Sequence, residues 1–468
     1  MVPARTDESR GRMGDYKRLR ERHTAHAIAL APALIERLDW SADRLADHRA
    51  ARLRNLVRMA IERSPWHRKR LAELNTEVLD EPTLSALPVM TRDDLMAHFD
   101  EIVTDPLLRL NLAEGHLEAL PTAGYLLDQY TVIASSGSTG RRGVFVYDWD
   151  GWAIYYLGLF RNLLRAVRSD PHLSRTHPVL LATVSASHPT HATAAYGRTF
   201  QGPHLSSRRL PVTMPVAQLV AGLNEAQPAF LHGYSSALHM LTREANAGRL
   251  RIRPKRIMAA AEPLLPEMRD ALEATWGVRV GNWWGTSEGG GTGIPCDLAE
   301  THLSEDLLIV EPVDEEGRAV PPGQCSAKLF ITNLYNKTLP LIRYEVTDEV
   351  TILEEACPCG SAHRRIADIQ GRLDDSFVYQ GVTVHPHVFR SRLGREREVI
   401  EYQVCQTERG AAVAIRCVGG PIDVQRLEAD LINDLVLVGV REPDVKITTV
   451  DFLERAIGGK LKRFVPRR

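Results

Sequence analysis

Between Trp152 and Trp284 the chain alternates apolar, β-branched runs with amphipathic runs of helical period. The strand-like runs are Val179–Val184, Ala229–His232, Arg256–Ala261 and Val278–Trp284, and the helical runs are Trp152–Val167, Val216–Asn224, Ser236–Ala247 and Pro266–Trp276. A strand, a helix and a second strand joined this way close as a crossover onto a parallel neighbour. The stretch therefore predicts an α/β domain with a largely parallel sheet. Ligands on such sheets bind at the loops past the strand C-termini.

The character of the chain differs on either side of this stretch. Helix signals run from near Tyr16 to Ser64, with Leu45, Leu53, Leu56, Val57, Ala60 and Ile61 on one face and Pro65 at the end. Thr91 then reads as the N-cap of a short helix opening Arg92-Asp93-Asp94-Leu95, a piece of scaffold. After about residue 300, Leu307–Pro312, Ala327–Leu334, Glu349–Leu353 and Ser376–Val384 predict a β-rich subdomain. Gly371–Asp375 is a polar joint, followed by a hairpin (Glu401–Cys405, Ala411–Val418), a helix face of Val424, Leu427, Leu431 and Leu435, and a strand at Val445–Leu453. The expected organisation is a large N-terminal domain over 1–371, with residues 1–15 unstructured, and a small α+β lid over 372–468 that moves on a hinge.

Lys and Arg number 58 against 59 Asp and Glu, so the chain carries no field that would steer it to nucleic acid or membrane. No apolar run approaches the roughly 18–20 residues a bilayer requires. The charged start, Met1–His23, lacks a secretory core, which predicts a cytoplasmic protein.

Ser135–Gly143, SSGSTGRRG, lies between the strand-like runs Tyr130–Ile133 and Gly143–Tyr147. Gly137 and Gly140 permit close approach of backbone N–H groups to a polyphosphate. Ser135, Ser136, Ser138 and Thr139 supply hydroxyls, and Arg141 and Arg142 supply charge. Alone, the stretch reads more readily as a flexible turn closing a hairpin. Four more stretches follow in order: Ala260-Ala261-Glu262-Pro263, Trp284-Gly285-Thr286-Ser287-Glu288, Arg343–Asp348 and Gly458–Arg463. In this conjunction the chain resembles the adenylate-forming superfamily of acyl-CoA synthetases, luciferases and peptide-synthetase adenylation domains, and within it phenylacetate–CoA ligase-like enzymes. The resemblance runs from about residue 50 to the end.

The resemblance implies roles residue by residue. Ser135–Gly143 is similar to the loop over the β- and γ-phosphates of ATP, with Arg142-Gly143 where the family often has Pro-Lys. Ala261-Glu262-Pro263 resembles the segment flanking the adenine. Trp284 would stack on the base beside Gly285, Ser287 would touch the α-phosphate and Glu288 would hold Mg²⁺. Asp348 would accept the ribose hydroxyls, assisted by Arg372. Lys460 resembles the lid lysine that bridges carboxylate and α-phosphate, although Glu454-Arg455-Ala456 replaces the family's Pro-Arg-Thr, and Asp374 sits at the hinge. Attack of a carboxylate on phosphorus builds negative charge, which a mobile cation and Mg²⁺ stabilise only in the closed state.

Cys296, His302, Cys357 and Cys359 offer three thiols and an imidazole, a closed tetrahedral zinc set, with His363 as the reserve imidazole. Phenylacetate–CoA ligase-like proteins show a similar arrangement. Cys325, Cys405 and Cys417 read as ordinary buried or strand cysteines. For the acyl pocket the resemblance points to Ser185–Thr193, with His188 and His191, and to Phe230–Ser236, with His232 and Tyr234. Phe230 and Tyr234 would sandwich an aromatic ring, and the histidines would either meet a polar or anionic substituent or serve as plain loop or core residues; so many polar candidates point to a hydroxylated or amino-substituted aryl acid. The reaction implied is ATP-dependent activation of a carboxylic acid, aromatic in character, to acyl-AMP, then transfer to a thiol, coenzyme A. The implied partners are that acid, coenzyme A or a carrier protein, and a second copy of the chain, with no nucleic acid and no membrane. Two other readings stand beside it: an adenylating enzyme with an amine, carrier-protein or inorganic acceptor, and a non-catalytic ATP sensor on the same scaffold.

Overall fold

The apolar runs of the alternation can be buried on both faces only if helices cover both sides of the sheet they form. In the computed structural model they do. The structure describes residues 7–119, 124–135, 143–175, 178–185, 192–200, 205–212, 214–261, 264–367, 377–384, 386–396, 398–417, 420, 422–453 and 464–467. An eight-stranded sheet runs in the order Leu205–Pro211, Val179–Ser185, Phe230–Tyr234, Arg256–Ala260, Val280–Thr286, Gly290–Pro295, Thr301–Leu303 and Arg365–Ile366. The first five of these pair in parallel. From Val280–Thr286 onward the pairing is antiparallel.

Strand periodicity sends alternate side chains to the two helical layers. Leu231, Ile257 and Ala259 meet Leu219, Leu223, Leu238, Leu241 and Leu272 of the helices Val216–Ala226, Ser235–Asn246 and Pro266–Trp276. Phe230, Met258 and Trp283 face the opposite core, shared with the helices Asp7–Glu36 and Trp149–Ser169. A three-stranded antiparallel sheet, Leu308–Val313, Lys328–Asn333 and Tyr344–Val346, abuts this core. Residues beyond 376 form a four-stranded sheet with two helices, His387–Leu393 and Val424–Leu437, around a separate core of Phe377, Tyr402, Leu431 and Phe464. Among the described residues no helix is long and apolar enough to cross a membrane.

Three expectations are corrected. The first helix begins at Asp7 rather than Tyr16, so residues 7–15, expected to be unstructured, are helical. They lack an apolar period but contain straight-chain helix formers and no proline. Glu349–Leu353 makes only isolated bridges, Thr351 with Cys325 and Ile352 with Ile366, because its two sides meet different partners and no ladder propagates. Cys325 is exposed rather than buried in a strand.

The central helix Trp149–Ser169 is fixed by two close contacts. A Cβ on Gly291 would lie 2.8 Å from the backbone of Gly158, so strand and helix approach as only glycine allows. One turn further on, Arg161 donates to both carboxylate oxygens of Asp306 at 2.6 and 2.7 Å, and to the carbonyl of Leu34 at 3.3 Å. Burial alone would raise the Asp306 pKa. The Arg161 guanidinium, with His363 and Arg37, outweighs it and holds the group below the usual carboxylate range. The stability this pair contributes is present above that range and is lost as pH falls through the depressed pKa. Arg161→Ala leaves a buried carboxylate without its bidentate partner. Urea unfolding at pH 7 should show a loss of about 3–5 kcal/mol, smaller at pH 3.

Candidate active site

Strands Thr131–Ala134 and Val144–Tyr147 form a fully buried antiparallel hairpin. Its tip is Ser135–Gly143, of which Ser136–Arg142, including Gly137, Ser138, Thr139 and Gly140, lie outside the described residues. The base is closed by two bonds. The Ser135 N–H donates to the Gly143 carbonyl at 2.9 Å, and the Gly143 N–H to Ser135 Oγ at 2.8 Å.

The end of the hairpin is tied to the Trp284–Glu288 stretch. The Tyr147 hydroxyl donates to the Ser287 carbonyl at 2.5 Å, and Tyr155 donates to the Thr286 carbonyl at 3.0 Å. Asn333 Nδ2 donates to the Glu288 carbonyl at 2.8 Å, while its Oδ1 accepts the N–H groups of Tyr335 and Asn336. Thr286 Oγ1 accepts the Gly289 N–H at 2.9 Å, and Gly290, at φ 66°, completes the reversal. Three sheets thus meet at one short turn.

Within that turn Glu288 is 6% exposed. Burial raises its pKa, which Arg92 opposes and Asp348 reinforces. Arg92 is the first residue of the helix Arg92–Ala97, and the backbone bonds of Met90 to Arg343 and Glu345 set that helix beside strand Tyr344–Val346. From the sequence alone this helix is expected to be scaffold. Its signal was a basic residue at a helix N-terminus, where the macrodipole disfavours one.

Trp284 and Asp348 come together. The indole Nε1–H donates to Asp348 Oδ2 at 3.2 Å, so the polar edge of Trp284 is turned to the carboxylate. Next to it Gly285 is the exposed position of an otherwise buried strand. Ala261 follows strand Arg256–Ala260 at φ 64°, a left-handed conformation that costs a residue with a Cβ and turns the chain sharply at the strand end. Glu262, Pro263, Arg372, Asp374, Lys460, His188 and His191 lie outside the described residues.

The pocket residues separate. Phe230 is wholly buried in the core that contains Trp283 and Phe160, and Tyr234 packs against the opposite helical layer. His232 shares the Phe230 face, with its ring 4.9 Å from that of Trp283.

A second constellation forms where Gly290–Leu303 meets the loop before Arg365. The ligand atoms of Cys296, His302, Cys357 and Cys359 all lie within 4.8 Å of one another. His302 Nδ1–H donates to the His363 carbonyl at 2.8 Å, which leaves Nε2 free to ligate, 3.5 Å from Cys359 Sγ. Burial and the neighbouring thiols of Cys357 and Cys296 push Cys359 up to about 12. His363 is no reserve ligand: its Nδ1 accepts the Glu305 N–H and its Nε2–H donates to the Arg37 carbonyl.

No family profile matches the chain. It is 26% identical over 381 residues to a phenylacetate–coenzyme A ligase of Thermus thermophilus, covering 77% of each chain. It is 25% identical over 390 residues to one of Pseudomonas putida, covering 77% of this chain and 78% of the ligase. In fold it matches a 2-hydroxyisobutyryl-CoA ligase crystallised with 2-HIB-AMP and CoA in the thioesterification state, at TM-score 0.57 over 92% of this chain and 91% of that one, with 19% identity. These similarities support the adenylate-forming superfamily. The Trp-Gly-Thr-Ser-Glu turn is held by buried tyrosine and asparagine contacts together with its own Thr286.

The raised Glu288 pKa sets the sign of a stability test. Ionising this carboxyl costs the folded state as pH rises from the ordinary carboxylate range through the higher folded value. Glu288→Gln should therefore melt at or above the wild-type temperature at pH 8. The difference should vanish below the ordinary carboxylate range, as read by thermal denaturation from pH 4 to 8.

Proposed function

We propose that this chain is an AMP-forming acid–CoA ligase that activates a carboxylic acid, aromatic in character, as its acyl-AMP and then forms the coenzyme A thioester. The observation that carries the reading is the Trp284–Asp348 contact beside buried Glu288, in a chain related by sequence to phenylacetate–CoA ligases. An indole face and a carboxylate held together suit a base and its ribose. A buried, ionisable carboxyl a short turn away suits a phosphate-bound cation.

In this reading Ser135 and the hydroxyls of the following loop hold the β- and γ-phosphates. The Ala261 backbone and Trp284 flank the adenine, and Asp348, with Arg372, takes the ribose hydroxyls. Mg²⁺, when bound, neutralises phosphate charge, and Glu288 is its ligand. Burial makes the Glu288 carboxylate costly despite Arg92, so a bound cation is its natural complement. Ser287 contacts the α-phosphate, and Arg92 adds positive charge on the Glu288 side. The acid's carboxylate bonds to the α-phosphorus as the α–β anhydride bond breaks and pyrophosphate leaves. The coenzyme A thiolate then bonds to the acyl carbon and AMP departs. The unit 372–468 acts as the lid, hinged at Asp374, that brings Lys460 to the carboxylate and α-phosphate.

The residues of the cysteine cluster fit a structural zinc ion. Zn–S bonds of about 2.3 Å in a tetrahedron place sulfurs about 3.8 Å apart, inside the observed spread. Such an ion would tie strands Gly290–Pro295 and Thr301–Leu303 to the Cys357 loop. Freshly purified protein should contain one equivalent of zinc by mass spectrometry, and His302→Ala should lose it and melt at a lower temperature. Metal-free wild-type protein of unchanged stability would remove the assignment.

Acid-dependent ATP–pyrophosphate exchange across aryl and alkyl acids tests the activity itself. Exchange with aryl acids is expected, abolished in Lys460→Ala with the fold intact by circular dichroism. Coenzyme A should be consumed in the second step. Folded protein that binds ATP and exchanges with no acid would point to the sensor reading.

A further inference from the structure

Packed protein interiors leave few voids larger than a water molecule. Between the helices Asp7–Glu36 and Trp149–Ser169 this chain leaves a cavity of about 250 Å³. An apolar cavity of about 150 Å³ already admits a benzene. This one is larger and can be entered, because its rim reaches solvent at Ile28, 45% exposed, and at Arg168.

Its shape follows from the two helices, which run in the same direction. His23 bonds to the Trp149 carbonyl near their starts, and Arg161 donates to the Leu34 carbonyl further along. The first helix lines the cavity with Thr24, Ala27, Ala31 and Ile35, a single stripe of helical period. At 1.5 Å per residue that stripe is about 16 Å long, so the space is a trough. Tyr156 and Leu164 of the second helix form the facing wall, and Phe200, stacked on Tyr156 at 4.4 Å, closes one end. Ala27 and Ala31 are small where larger side chains would fill the gap.

The trough is separate from the nucleotide side. None of its described lining residues belongs to the Trp284–Glu288 turn, to Asp348 or to the stretches assigned to the acyl pocket. One whole wall is the helix Asp7–Glu36, which precedes the part of the chain that resembles adenylate-forming enzymes.

Charge decides the class of occupant. The described lining residues include no acidic group and a single cation, Arg168, in the last turn of its helix at the Ile35 end of the trough. The helix dipole favours a cation at that position with or without a ligand. Its neighbours on the helix are nevertheless engaged, Arg161 by Asp306 and Arg165 by Asp39, whereas Arg168 makes no ion pair among the described residues. A long apolar trough with one uncompensated guanidinium at its end complements a molecule of the same build, a hydrocarbon chain with one anionic end.

We propose that this trough is a binding site for a monocarboxylic acid with a linear alkyl chain, the chain lying between the two helices and the carboxylate at Arg168. The proposal goes beyond the ligase reading and does not depend on it.

Titration calorimetry of the full chain with octanoate, decanoate and dodecanoate tests it. One equivalent should bind, with affinity rising about fourfold per added methylene until the trough is full. At low salt decanoate should bind about fivefold more tightly than decanol, and the difference should shrink at about 0.5 M salt. Arg168→Gln should reduce decanoate to the affinity of decanol and leave decanol itself unchanged. Ala31→Phe, folded by circular dichroism, should lose both ligands; the exposed Arg168→Gln carries the test if that variant does not fold. Binding that survives Ala31→Phe, or that saturating ATP displaces, belongs to another site and would overturn the proposal. So would the absence of saturable binding by all three acids, an affinity indifferent to chain length, or an acid-to-alcohol ratio unchanged in Arg168→Gln. A dimer in sedimentation that excludes the acids would also overturn it, by giving the trough to a second copy of the chain.

Discussion

The backbone carbonyl of Glu288 is the point on which the arrangement depends. It accepts the Asn333 amide at 2.8 Å and lies 3.3 Å from the Tyr147 hydroxyl, whose shorter bond goes to Ser287. Asn336 continues the connection by donating to the Val146 carbonyl at 3.1 Å. These bonds join the eight-stranded sheet, the three-stranded sheet and the hairpin below the Ser/Gly loop. Each donor is buried, so none can exchange its partner for water without cost. The turn that carries an acidic side chain into the interior is thereby prevented from relaxing outward.

The same economy holds further from the site. Arg343, at φ 53°, pairs with Glu311, donates to the carbonyls of Ser85 and Leu87, and lies over Phe330 at 4.8 Å. It brings the segment preceding Arg92 against the strand preceding Asp348. Arg161 and Asp306 do the equivalent for the central helix. Trp284, Glu288 and Asp348 are thus held by buried, fixed parts, and the described residues beyond 376 pack around a core of their own.

Much of this was legible from residue order. The strand–helix alternation gives the five parallel strands and their covering helices because each obeys its own periodicity. Gly290–Pro295 escaped notice because GGTGIP has glycines where strands carry β-branched residues, and those glycines serve the contact with Gly158. Leu205–Pro211 escaped because an edge strand need not be apolar. Arg92 could not be tied to Glu288, nor Arg161 to Asp306, since pairing across such separations is a property of the folded chain alone. The cysteine set was legible because its residue types have few other uses at that spacing.

Each end of the eight-stranded sheet carries a feature that disfavours the addition of a further strand. One edge is Arg365–Ile366, too short to template a neighbouring strand, and it follows directly on the cysteine loop. The other is Leu205–Pro211, whose exposed centre is Ser207, Arg208 and Arg209. A second sheet docking there would have to bring its own backbone against two adjacent guanidinium groups and strip them of water. Open sheets invite edge-to-edge polymerisation, and this one meets the hazard by brevity at one end and by charge at the other.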